Sequence, residues 1–160
     1  MKTQTYISLI LISIIFASAP IVSSKSLPNT KWIPEVKGIK LGSSLKQVIS
    51  VFKKPGTKRE KTEHTILQYE GLTIEINKKS LNVSRIEVFS SKWEIHPEIK
   101  VEMLKDEAYK ILGNPLHSEE RGSQIYVWWW HANPNIDSLF LVVFENKKII
   151  RVILAEDHSI

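Results

Sequence analysis

Apolar positions along the chain follow two periods in turn. Between residues 45 and 52 they recur at three- and four-residue steps, as Leu45, Val48, Val51 and Phe52, which predicts a helix with one apolar face. Leu104, Ala108, Ile111 and Leu112 take the same steps further on. After each helix the period falls to two, predicting strands over 64–69, 72–77 and 82–90, then 124–131, 139–145 and 148–155. Ser44 and Gln47 have the spacing of a capping box at the first helix, and Lys53-Lys54-Pro55-Gly56 closes it. Gly113-Asn114-Pro115 closes the second. Glu70-Gly71 and Asn146-Lys147 mark tight turns.

The two helical stretches align as wholes. IKLGSSLKQVISVFKKP (39–55) and IKVEMLKDEAYKILGNP (99–115) match at Ile39/Ile99, Lys40/Lys100 and Pro55/Pro115, with Leu41/Val101, Val51/Ile111 and Phe52/Leu112 similar. A shared period of this kind predicts one supersecondary unit used twice. The expected fold is α+β, with two tandem α-β-β-β repeats forming an antiparallel sheet backed by helices on one face. The expected organisation is a signal peptide over 1–24, an extended segment over 25–37, repeat 1 over 38–95 and repeat 2 over 96–160, packed as one domain.

Alternation also separates the sheet faces. In repeat 1, Leu67, Tyr69, Leu72, Ile74, Ile76, Ile86 and Val88 point to the helix side, and Thr73, Glu75, Asn77, Arg85 and Glu87 point away. The same register in repeat 2 sends Val127, Trp129, Phe140, Val142, Phe144, Val152 and Leu154 inward. The outward side then receives Tyr126, Trp128, Trp130, Leu139, Leu141, Val143 and Ile153. An idle surface would be polar there. Aromatic side chains of roughly 150–250 Å² each make a patch larger than a monomer ordinarily exposes. Its expected occupants are a partner protein, a second copy of the chain, or the chain's own segment around Trp32 and Pro34.

Composition narrows the setting. Lys2, the apolar run from Tyr6 to Ala19 and the small residues Val22-Ser23-Ser24 have the order of a secretory signal. That run is shorter than a bilayer-spanning helix needs. The expected location is therefore secreted or periplasmic, without stable membrane insertion after cleavage. Without Lys2 the chain carries 21 basic and 17 acidic residues, spread rather than clustered, and no nucleic-acid-binding motif. Lys53-Lys54 and Lys58-Arg59 read as solvated positions at a helix end and loop. There is no cysteine, so packing alone holds the fold.

Ile39, Gly42, Ser43, Val48 and Pro55, with the echo Ile99, Ala108, Gly113 and Pro115, give the chain a resemblance to the β-lactamase inhibitor protein and its structural relatives. These include the small outer-membrane lipoproteins of the SmpA/OmlA type. The resemblance implies a helix-backed sheet whose other face binds proteins. Disulfides of the inhibitor and the lipidated cysteine of the lipoproteins have no counterpart here, so neither lactamase inhibition nor outer-membrane anchoring carries over.

Candidate chemistry is sparse. His64, His96, His117, His131 and His158 show no paired metal-ligand spacing, and Glu119-Glu120 beside His117 lacks a nucleophile. No phosphate-cradling glycine loop or GxSxG elbow occurs. No catalytic residue, metal or cofactor is expected. The loop 132–137 carries turn residues that suit a plain connector, and its Asp137 is a candidate to probe a cationic pocket in a partner. The reading is an exported, non-enzymatic protein-binding module, an enzyme inhibitor or envelope assembly factor. It binds through Tyr126, Trp128, Trp130, Asp137, Leu139, Leu141 and Val143. The alternative is a carrier or sensor holding an apolar or carbohydrate ligand on the same face.

Overall fold

The computed structural model describes residues 33–95, 98–133 and 136–156, without the side chains of 130–137. The expected signal peptide, and Trp32, lie outside the described residues. Helix α1 (Leu45–Phe52) is followed by β1 (Thr57–Glu60), β2 (His64–Tyr69), β3 (Leu72–Asn77) and β4 (Val83–Val88). A short pair, β5 (Glu94–Ile95) and β6 (Ile99–Lys100), leads to α2 (Lys105–Leu112). Four strands follow: β7 (His117–Arg121), β8 (Gln124–Asn133), β9 (Ile136–Glu145) and β10 (Lys148–Glu156). The main sheet has eight strands in the order β1-β2-β3-β4-β10-β9-β8-β7. Two antiparallel meanders thus meet along β4 and β10, where Val152 faces Val88 and Leu154 faces Ile86.

This corrects the α+β expectation. Among the described residues the protein is β-rich, one large antiparallel sheet carrying two helices of 8 residues each, and helices do not form a layer that backs it. Helix α1 buries only Val48, and α2 only Ala108 and Leu112. Much of the main core opposite the sheet comes instead from connecting segments, through Val36, Ile39, Leu41, Trp93, Ile95, Ile99 and Val101. Val51, expected on the buried helix face, is 38% exposed. Each meander has four strands rather than three, because β1 (TKRE) and β7 (HSEER) are edge strands exposed throughout. Edge strands of this kind use charge to resist further pairing. They therefore have no apolar alternation to read.

The loop expected over 132–137 is mostly strand. β8 and β9 pair through His131↔Ser138, Ala132↔Asp137 and Asn133↔Ile136. In the first half the equivalent hairpin turns at Glu70-Gly71. There Gly71 has φ +74°, and a Cβ would sit 2.2 Å from that of Ser90, so both backbone and space require glycine.

Both halves fasten the helix start to the last hairpin with matching bonds. The amides of Gly42 and Glu102 donate to the carbonyls of Val83 and Ile149 (2.8 and 2.7 Å). Those of Val83 and Ile149 donate to Ser43 and Met103 (2.8 and 2.9 Å). Those of Leu45 and Lys105 donate to Leu81 and Lys147 (3.0 and 2.8 Å). Gly42 and Glu102 share a positive φ (81° and 74°), as do Leu81 and Lys147 (58° and 63°). The geometry is held even where the residue is not glycine, at a cost in backbone strain.

Candidate interaction face

Trp129 and Trp128 leave β8 on opposite sides. Trp129 is 2% exposed in the main core, edge-on to Tyr109 at 5.6 Å, and its indole N–H donates to the carbonyl of Gly113 at 3.3 Å. Trp128 is half-buried on the other face, where it packs with Tyr126 and Ile150 against a second buried cluster of Leu141, Val143, Ile153 and Ala155. Cross-strand pairing explains the cluster. Trp128 faces Leu141 and Tyr126 faces Val143, while Ile153 faces Leu141 and Ala155 faces Leu139 across the next strand. A bulge at Ile150 lets it join the same side.

The expected site residues therefore separate. Tyr126, Trp128 and Leu139 are half-buried and face outward. Leu141 and Val143, at 3% and 0% exposure, are floor rather than contact surface. Their role is to support the aromatic rings above them. Backbone pairing sets Trp130 opposite Leu139 and Asp137 opposite Ala132, but the side chains of Trp130 and Asp137 are outside the described residues. Within the expected N-terminal segment Pro34 is buried and Val36 packs in the main core on the Trp129 side of the sheet, as does Ile39 just after it.

Strand β7 adds residues that sequence reasoning did not place there. His117 pairs with Trp128 across the strands, their rings 5.2 Å apart, and Tyr126 lies stacked beyond at 6.2 Å and 28°. The Arg121 guanidinium sits 4.8 Å over the Tyr126 ring and binds Glu119 through two bonds of 2.9 and 2.8 Å. Hydrogen bonding to Arg121 holds the Glu119 carboxyl below its ordinary value, and the Arg121 pKa rises in return. The result is a row of four planar groups along the edge. Its only sequence signal was the odd-numbered spacing of His117, Glu119 and Arg121, which is ambiguous without apolar neighbours.

On the opposite side of the apolar floor, Glu87 joins Arg151 at 3.3 Å and Arg85 at 3.6 Å. These three side chains are 20–35% exposed. The apolar floor thus lies between an aromatic row and an ionic group. The same face of the first half carries Gln68, Thr73 and Glu75, all half-buried and polar, with Ile66 buried opposite Glu75. Among the described residues, no group of three or more His, Cys, Asp or Glu side chains is placed to hold a metal ion. None of the described helices is long and apolar enough to cross a membrane.

No family model matches the chain, and no curated protein matches its sequence. Among solved structures, the chain is similar to an extracellular protein containing an SCP domain from Bacillus anthracis strain Ames. The TM-score is 0.50 at 11% identity, over 74% of this chain and 45% of that one. The chain therefore spans less than half the length of that protein. At this identity the likeness is one of fold.

Proposed function

We propose that the protein is an exported, non-enzymatic binding module that holds another protein on the outer face of its second half. The observation that carries this reading is the half-exposed pair Tyr126 and Trp128 above a fully buried apolar floor. Aromatic side chains set on a rigid support bury large area at small entropic cost, which is why they dominate binding hot spots. The reading treats the two halves as a duplicated unit in which one outer face stayed polar and the other became a docking surface. Export is supported by the signal-like N-terminus and by the extracellular character of the structural neighbour. The non-catalytic reading rests on the engagement of the charged groups of the face. Glu119 is taken up by Arg121, and Glu87 by Arg151 and Arg85. An enzyme to be inhibited or an envelope protein to be assembled are the partner classes that the sequence resemblance offers.

The test combines capture with melting. Trp128→Ala in the full chain abolishes retention of the partner protein while the variant still melts cooperatively near the parent. Unchanged retention rejects the reading. Quenching of tryptophan emission by an oligosaccharide or fatty acid, with no protein retained, transfers the face to a small-ligand carrier.

A further inference from the structure

The matching bonds at the two helix starts allow a residue-by-residue comparison of a second surface, on the first half. At its centre is a shallow depression of about 560 Å³ between α1 and the β3–β4 turn, lined by Leu45, Lys46, Ile49 and Leu81 with small polar residues. Ile49 is 40% and Leu81 57% exposed. In the second half the position of Leu45 is taken by Lys105, that of Lys46 by Asp106 and that of Leu81 by Lys147. The scaffold therefore accepts charge at these positions. Leu81 is exposed and held at positive φ, and the matching position carries Lys147 in the same backbone conformation.

The surroundings are cationic. Helix α1 contains no carboxylate, and among the described residues no ion pair engages Lys46, Lys54 or Lys79. Residues 38–95 hold 11 lysines and arginines against 6 carboxylates, whereas 96–160 hold 7 against 10. An occupant complementary to this surface is anionic and partly aliphatic. The exposed apolar residues are leucine, isoleucine and the flanking Val51, without an aromatic ring, which is unlike a protein hot spot. Aliphatic side chains beside Lys46, with Lys79 next in sequence to the lining residue Ser80, match the boundary between acidic headgroups and acyl chains.

We infer that the α1 surface of the first half docks on an anionic lipid bilayer, with Ile49 and Leu81 entering the interface and Lys46, Lys54 and Lys79 meeting the headgroups. This peripheral contact is independent of the aromatic face on the second half.

Co-sedimentation with lipid vesicles tests it, using the protein as recovered from cells that make it. The parent binds vesicles of phosphatidylglycerol and phosphatidylcholine, releases in high salt and ignores phosphatidylcholine alone. Lys46→Gln weakens binding by about fivefold. Leu81→Lys, which introduces the residue found at the equivalent position 147, weakens it by about tenfold despite adding positive charge. Both positions are exposed, so circular dichroism and melting stay at parental values. Trp128→Ala leaves vesicle binding unchanged, which separates this proposal from the one for the other face. Absence of binding to the acidic vesicles overturns the inference. So does binding that Leu81→Lys leaves intact or strengthens, or retention of an acidic peptide by the patch with no vesicle binding.

Discussion

Adjacent tryptophans on β8 do opposite work. Trp129 fills the main core between Tyr109 and Phe140, so Trp129→Ala costs about 3–5 kcal/mol, read as a large fall in the denaturation midpoint. Trp128 rests half-exposed on the outer cluster, and Trp128→Ala costs less than half as much. Equal losses would mean that both rings are core. Backbone strain offers a second residue-level test. Asn146 and Lys147, with φ of 49° and 63°, form a two-residue hairpin turn that favours Asn-Gly. Lys147→Gly removes the strain but frees the unfolded chain, for a net stabilisation of about 0.5–1 kcal/mol. The inward and outward directions along β8 could be read from alternation because Val127 and Trp129 share one parity and Tyr126 and Trp128 the other. Burial of Leu141 and Val143 could not, since it depends on rings from the neighbouring strand and on the bulge at Ile150.

At the scale of elements, the two helix starts differ by one missing cap. Ser44 completes its box, accepting from the Gln47 amide at 3.3 Å while the Gln47 side chain accepts from the Ser44 amide at 2.7 Å. Leu104 keeps only the second half, through Glu107 at 3.3 Å, because leucine has no acceptor. Leu104→Ser supplies it and stabilises the protein by about 0.5–1 kcal/mol in urea unfolding. The first edge hairpin depends on pH. Glu60 bonds to Lys58, Lys78 and Thr65, which lower its pKa from 4.5 to about 2. Its folded value lies below its unfolded one, so this contribution is complete above pH 4.5 and disappears as pH falls to about 2. A carboxyl NMR titration should find the low midpoint, and Glu60→Gln should flatten the pH dependence of stability across that window. Edge strands such as this one were illegible in the sequence because charge, their protection against pairing, is also what a loop shows. The central strands β3, β9 and β10 were legible because each sends alternate residues into the main core, as Leu72, Ile74 and Ile76, then Phe140, Val142 and Phe144, and Val152 and Leu154.

Across the whole molecule, two four-stranded meanders meet at β4 and β10 and share one inner core. Their outer faces differ, mainly polar around Ile66 in the first half and aromatic over a buried floor in the second. That contrast is the central claim, since two meanders fastened by matching bonds account for the fold but not for the difference. A photo-reactive phenylalanine analogue placed at Trp128, and as a control at Glu75 on the corresponding face of the first half, tests it most directly in cells that make the protein. The expected result is a discrete protein adduct from position 128 and none from position 75. Adducts of equal yield from both positions, or from neither, would contradict the account.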